Sequence, residues 1–226
     1  VIDGVAARYF DDGDVFDEEM AESLVSDLED LHNVRSSLVL RPGSAFATTD
    51  IDLTVEEAND NTDYIMLDNY GSELTGEYVA AVHLEHGNLL GLGEKYNLDA
   101  RISDDELWGI GLSTISPTTL YNTNLELGYS HTSNEINNQP ADGDIDIYNV
   151  ALASNVLNTR TRRATVRVGL EAKDSESTIA TISQEDKVRK VYVSGNYIHR
   201  GFDSVWYAAM RVSKGVDILD SSQLGD

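Results

Sequence analysis

The side chains that could do chemistry are few and scattered. The 226 residues include five histidines and no cysteine. Without thiols there is no disulfide framework, no thiolate zinc site and no cysteine nucleophile. A hydrolytic triad needs a nucleophile beside a histidine and a carboxylate. The one close acid–imidazole cluster is His83, Glu85 and His86. On a strand His83 and Glu85 share a face while His86 points to the other, a poor arrangement for a two-histidine metal pair. Asp11-Asp12-Gly13-Asp14 is the nearest approach to a calcium loop. With Gly13 at the sixth position, Arg8 falls first and Phe10 third, where oxygen ligands are needed. The stretch therefore reads as a solvated acidic turn. Neither a GxxxxGK(S/T) nor a GxGxxG phosphate loop is present. Arg160, Arg162 and Arg163 could hold lipid head groups or an acidic chain, but the simpler reading is a turn facing water. No catalytic, cofactor-binding or metal-ligating residue is expected, no cofactor is implied, and the chain does not read as an enzyme.

Charge narrows the classes further. There are 40 acidic and 16 basic side chains, a formal net of −24. Such a balance argues against nucleic-acid binding, which needs a basic surface. No apolar run comes near the roughly 18 residues of a membrane-spanning helix. Residues 1–60 hold 16 acidic and 3 basic residues, a net of −13, and residues 61–226 hold 24 and 13, a net of −11. That asymmetry points to two parts. The chain opens on Val1 with no basic stretch followed by an apolar core, so no signal peptide is expected within it, and both ends read as cut from a longer protein.

The first part reads as a small mixed domain. Val1–Phe10 is apolar enough for a strand. Met20, Leu24, Leu28 and Leu31 form one helical stripe over Asp17–Leu31, with Asp17, Glu18 and Glu19 where the helix dipole favours acid. Val34–Leu40 reads as a strand, broken by Arg41-Pro42-Gly43. Ile51, Leu53 and Val55 alternate with Asp52, Thr54 and Glu56 as a half-buried strand. The expected order is strand, helix, strand, strand, with the helix over one face of a small sheet.

From Asp63 the helical period disappears. About nine strands follow, at roughly 63–71, 76–86, 93–103, 107–115, 123–133, 144–156, 163–173, 187–199 and 204–213. Most exceed the usual length of about 5–6 residues and suit membrane-spanning strands of about 9–11. Ala164, Val166, Val168, Leu170 and Ala172 oppose Arg163, Thr165, Arg167, Gly169 and Glu171. Leu125, Leu127 and Tyr129 oppose Asn124, Glu126, Gly128 and Ser130. An apolar face backed by a polar one fits a barrel with a wet lumen in lipid; a soluble β-sandwich alternates in the same way. Ser133–Gly143 and Asp174–Asp186 read as long polar loops, Leu157–Arg162 and Arg200–Asp203 as short turns, as in an up-and-down barrel. Tyr64, Tyr70, Tyr78, Tyr121, Tyr129 and Tyr197 lie near strand ends, where interfacial girdles form. The acidic excess of this part is expected in loops and lumen.

Three ordered strings carry a resemblance. Leu40-Arg41-Pro42-Gly43 is followed by Thr48-Thr49-Asp50-Ile51-Asp52-Leu53-Thr54-Val55. Leu67-Asp68-Asn69-Tyr70-Gly71-Ser72 and Thr75-Gly76-Glu77-Tyr78 come next, then Asn88-Leu89-Leu90-Gly91-Leu92-Gly93-Glu94. From about residue 15 to its end the chain resembles the transporters of two-partner secretion, the haemolysin and filamentous-haemagglutinin exporters (TpsB; ShlB/FhaC/HecB-like). Glu94 stands where that family usually has Asp. The glycines of these strings suit tight turns.

The resemblance implies an α+β POTRA domain followed by an antiparallel all-β outer-membrane barrel. Residues 1–60 would be most of the second POTRA domain, truncated at its start, and 61–226 the N-terminal part of the barrel, roughly nine of about 16 strands. It implies a Gram-negative outer membrane with the POTRA domain periplasmic. The function implied is export of a secreted, unfolded TpsA-type exoprotein in type V secretion. Outer-membrane lipid is the other partner, with no nucleic acid and no nucleotide. His199-Arg200-Gly201-Phe202 looks like the family's VRG(Y/F) loop motif but comes too early in the chain, and is read as a hairpin turn. The rival readings are a BamA-type assembly factor and a soluble acidic β-sandwich binding module.

Overall fold

In the computed structural model, residues 2–10, 13–120, 122–136 and 140–219 are described. Two helices come first, α1 (Ile2–Ala6) and α2 (Glu18–Glu29). A hairpin of β1 (Val34–Pro42) and β2 (Thr49–Glu57) follows as a separate two-stranded sheet. The remaining strands are β3 (Thr62–Asp68), β4 (Val79–Gly87), β5 (Lys95–Ser103), β6 (Trp108–Pro117) and β7 (Thr123–Glu135). After them come β8 (Ala141–Asn158), β9 (Arg162–Ile179), β10 (Ile182–Arg200) and β11 (Val205–Gly215). They pair in chain order as one nine-stranded antiparallel meander, with β3 and β11 at its open edges.

The expected N-terminal strand is a helix. Val5 and Tyr9 are one helical turn apart, and both bury against Leu24, Leu28 and Leu31. A strand would have put these two on one face but spread them along an edge with no partner. The order is thus helix, helix, strand, strand. In α2 the Asp17 side chain accepts a hydrogen bond from the Met20 N–H at 2.9 Å, an N-cap. Ala21, Leu24 and Leu28 are its buried apolar residues, while Met20, expected in the stripe, is 40% exposed. Leu38, Leu53 and Val55 of the β1–β2 hairpin close this core. Burying a leucine such as Leu28 fully is worth about 1.5–3 kcal/mol. Of the acidic turn, Asp11 and Asp12 lie outside the described residues.

Two expected long loops are mostly strand. β9 and β10 pair from Arg162–His199 up to Ile179–Ile182, and β7 pairs with β8 as far as Glu135–Asp142. Ser, Thr, Asp and Glu dominate these extensions, so hydropathy marks them as loop, yet backbone pairing needs no apolar side chain. Residues 137–139 lie outside the description. The strand over 63–71 stops at Asp68, and the next begins at Val79. Between them Ser72 bridges Gly76, and Gly71 donates its N–H to Glu77 at 3.1 Å. Gly76 has φ +106°, which few other residues adopt. Of the expected turn His199–Phe202, His199 and Arg200 still belong to β10 and pair with Trp206 and Val205, and the turn is Gly201–Ser204, with the Gly201 N–H on the Ser204 carbonyl at 2.8 Å. Among the described residues the meander is one sheet, and the β1–β2 hairpin is the other.

Candidate functional site: a two-faced sheet and its joint to the helices

Outside the irregularity between Asn155 and Leu157 of β8, register assigns the paired strand residues to a face, because paired residues point the same way. One face carries Glu126, Ala151, Gly169 and Tyr192 in one row, and Asn124, Ala153, Arg167, Ser194 and Arg211 in the next. Ala151, Ala153 and Tyr192 are buried here, although no second layer covers them. This is the concave, inner face. Opposite lie Leu127, Val150, Leu170 and Val191, then Leu125, Leu152, Val168, Val193 and Val212. Leu152 is 45% exposed and Val168 52%. A convex apolar face open to its surroundings, backed by a polar face, is the pattern of a lipid-facing wall.

The outer apolar band has an upper limit. Tyr129 and Tyr148 pair directly, their rings 5.0 Å apart. One row above on the same face stand His131, Asp146 and Asp174. The Tyr129 hydroxyl donates to Asp146 Oδ1 at 2.9 Å, and His131 Nδ1 lies 3.0 Å from the same oxygen. Aromatic rings with a polar tip suit an apolar–aqueous boundary. Tyr129 and Tyr148 thus stand between the apolar rows below and this polar row above. Tyr64 does not: it pairs with His83 and falls on the inner face, stacked on that imidazole at 4.9 Å. Tyr121 lies outside the described residues.

The inner face is held by ion pairs rather than by packing. Arg167 Nε lies 3.0 Å from both carboxylate oxygens of Glu126, and its Nη1 donates to Asn196 at 3.1 Å. Glu171 accepts from Lys190 at 2.6 Å and from Arg211 at 2.9 Å. Arg211 also lies over the Tyr192 ring, 3.8 Å from its centroid. Tyr192 occupies the space above Gly169, where a Cβ would stand 2.6 Å from its ring. Toward the helices this face presents Arg163, Arg167, Lys190 and Arg211 against Glu126 and Glu171. The acidic excess expected in the lumen is not found on this part of the wall.

The histidine–carboxylate cluster is dispersed, as alternation requires. His83 Nδ1 sits 2.7 Å from Asp99, His86 Nε2 3.1 Å from Asp63, and Glu85 pairs with Lys95 at 2.5 Å. Among the described residues no group of three or more His, Asp or Glu is placed to hold a metal.

The glycine string 87–94 builds a joint. Glu94 is fully buried. It accepts the Leu90 N–H at 2.5 Å and the Leu92 N–H at 3.0 Å. Burial pushes its carboxyl up. The backbone N–H groups of Leu90, of Glu94 itself and of Leu92 outweigh that, and hold it below the ordinary carboxylate range. Gly91 and Gly93 take φ of +75° and +76°. A Cβ on Gly93 would meet Leu31 at 2.9 Å, and the His32 ring fills the place of one at Gly87. His32 donates its N–H to the Gly93 carbonyl at 3.2 Å. Asn33 bridges to the Gly87 carbonyl at 3.1 Å and to Asn61 at 3.2 Å, and Asn61 accepts the Gly87 N–H at 3.1 Å. The string thus seats the β4–β5 turn on the loop after α2.

The β8–β9 turn reaches the helices from the other side. Arg163 Nη2 meets Asp30 at 2.6 Å and Arg162 Nη2 meets Glu19 at 3.0 Å. Asn158 donates to Asp27 at 2.7 Å and to Asp30 at 3.0 Å, and Asn155 to Asp30 at 2.9 Å. Asp27 also accepts the Tyr9 hydroxyl, which takes a hydrogen bond from Asn122 of the β6–β7 turn at 3.3 Å. Two of the three arginines read as a solvated cluster are therefore engaged by α2. The partners lie 143 and 133 residues away, beyond any local pattern.

The family described as haemolysin secretion/activation protein ShlB/FhaC/HecB matches residues 47–225. Among solved structures, CdiB from Escherichia coli is similar with a TM-score of 0.80 and 16% identity, over 99% of this chain and 44% of that one. CdiB from Acinetobacter baumannii is similar with a TM-score of 0.74 and 15% identity, over 95% of this chain and 43% of that one. The chain thus spans less than half the length of either, and at these identities the likeness is one of fold. No curated protein matches. The match over residues 47–225 takes in the second and third motif strings and the whole meander, and the chain belongs to the haemolysin secretion/activation protein ShlB/FhaC/HecB family.

Proposed function

We propose that the complete protein is an outer-membrane transporter of a Gram-negative bacterium that exports a secreted partner protein by two-partner secretion. The observation that carries this reading is the two-faced wall: Leu152 and Val168 exposed outside, Glu126, Arg167 and Arg211 within. Residues 61–226 form the first part of the barrel, whose remaining strands would close the edges left at β3 and β11. Residues 1–60 form a POTRA domain on the periplasmic side, the side of the β4–β5, β6–β7 and β8–β9 turns. The cargo is an unfolded TpsA-type exoprotein arriving in the periplasm, and the surrounding solvent of the outer face is lipid.

The β1–β2 hairpin offers the first contact with cargo. Two strands alone leave main-chain groups open on each outer edge, and an extended chain can add there by β-augmentation. Deleting the gene should remove one large protein from the culture medium and leave other outer-membrane proteins at normal levels. A secreted-protein profile unchanged by the deletion would sink the exporter reading. Broad loss of outer-membrane barrels would favour an assembly factor instead.

A further inference from the structure

Three strands of the meander outrun the apolar band. β8, β9 and β10 have 18, 18 and 19 residues, against about 9–11 for a strand that only crosses a bilayer. The surplus lies past the row of Tyr129, Tyr148, Ala172 and Arg189, at the end away from the turns that meet the helices. It is a polar blade whose β9–β10 ladder runs up to the pair Ile179 and Ile182.

One edge of the blade has no neighbouring strand among the described residues. β11 pairs with β10 from Lys190 to Arg200 and ends at Gly215. The Val216 N–H still reaches the Arg189 carbonyl at 3.0 Å, and residues 216–219 carry no strand. From Ile182 to Asp186, β10 is therefore laddered to β9 on one side and open on the other. Alternate residues of a strand direct both main-chain groups to the same side. Arg189 directs its carbonyl toward β11, so Glu185 and Ser183 direct their N–H and carbonyl groups to the open edge. Closing the barrel would not cover them, because further strands would add beside β3 and β11.

The side chains select what can pair there. Asp144, Glu176 and Glu185 stand side by side in one row across three strands, and Lys187 meets Glu185 at 2.7 Å. Like charges directly opposite one another are destabilising. Residues 131–135, 141–147, 173–179 and 182–188 together hold eight carboxylates against Lys173 and Lys187. A strand that set a lysine or arginine beside Glu185 would relieve that repulsion, and an acidic strand would add to it.

We infer that the Ile182–Asp186 edge is a docking strand for the exported chain as it emerges, taking a lysine- or arginine-bearing extended segment by β-augmentation. It is the exporter reading above that makes this end of the sheet the exit. The edge spans about 16 Å at the usual strand rise, enough to start a short strand pairing.

The full-length protein in cells would carry a photoreactive phenylalanine analogue at Ser183, on the outward face of the edge strand and away from the lumen. Asp142, in the same row two strands in, is the control position. Irradiation during export should link Ser183, and not Asp142, to the protein whose loss from the medium marks the deletion strain, identified by its peptides. Glu185→Pro removes an N–H that the β9 ladder does not use and should cut the adduct about fivefold. Glu176→Lys with Glu185→Lys should cut it about threefold. Both variants should match the parent in surface amount and in gel mobility without heating. Normal export with no adduct at Ser183, or an adduct that survives both variants, would overturn the docking edge and leave the exporter reading standing. An adduct to a later segment of this same chain would overturn it too, since the edge would then be filled. No export by the parent protein would remove the exporter reading and the docking edge with it.

Discussion

Asp30 Oδ1 lies 2.6 Å from Arg163 Nη2, although 133 residues separate them in the chain. One belongs to the C-cap of α2 and the other to the second residue of β9. Their meeting orients the helical unit against the sheet. It is also partly open to water, which sets its strength. A double-mutant cycle of Asp30→Asn and Arg163→Gln should give a coupling of about 1 kcal/mol, the upper range for exposed pairs. It should fall when salt is raised. Denaturant unfolding of the four proteins measures it.

Glu94 should matter more. Its carboxylate is buried and holds the N–H groups of Leu90 and Leu92. Glu94→Ala leaves both donors without their partner and should cost about 3 kcal/mol; Glu94→Gln keeps one acceptor oxygen and should cost about 2 kcal/mol. Thermal unfolding distinguishes the two, and protease cutting within residues 58–61 should rise in both if the joint loosens.

The two carboxyls should bend the stability–pH curve in opposite directions. Burial raises Asp30 above its ordinary 3.8, against the pull of Arg163. The folded protein then holds that proton more tightly than the unfolded chain, so Asp30 adds stability as pH falls through its raised value. Glu94 is held below its ordinary 4.5 despite burial. Its contribution is present above 4.5 and is lost as pH falls through the lowered value. Asp30→Asn should therefore remove an acid-side gain, and Glu94→Gln an acid-side loss. Unfolding midpoints measured from pH 3 to pH 7 in both variants test the signs.

Gly169 should not tolerate a side chain. A Cβ there would stand 2.6 Å from the Tyr192 ring. Gly169→Ala should push that ring away from Arg211 and break its hydrogen bond with Asn149, 3.0 Å long. A loss of about 1–3 kcal/mol is expected from the overpacking. Tyr192→Ser in the same background should recover part of it, read by unfolding in detergent.

The two faces predict opposite responses to one substitution. Val168→Arg places a charge in the exposed apolar band and should cost about 2–4 kcal/mol in lipid if it lies near the midplane. Ser194→Arg, on the inner face between Arg167 and Arg211 in register, should change folding far less. Folding yield of the full-length protein into lipid vesicles, followed by gel mobility without heating, compares them.

Much of the wall was legible because one period controls it. The alternation of Val166, Val168 and Leu170 with Arg167 and Gly169 follows from strand geometry alone, and each expected strand of the meander has a counterpart. The misses have physical reasons. Val1–Phe10 was too short for periodicity to separate strand from helix, and burial of Val5 and Tyr9 decided it. The polar ends of β9 and β10 gave no apolar signal, yet their backbones pair through Ile179 and Ile182. Tyr64 was assigned to a girdle by its place near a strand end, but its face depended on pairing with His83.

Local spacing by itself determined the nine strands of the meander, their two-faced alternation and the glycine turns, since each depends on neighbours along the chain. The tertiary structure decided which face is concave, which arginines are free, and where the helices rest. Asp30 and Arg163 show why. Each alone is a common surface residue, and only the fold that spans the 133 positions between them makes them a contact.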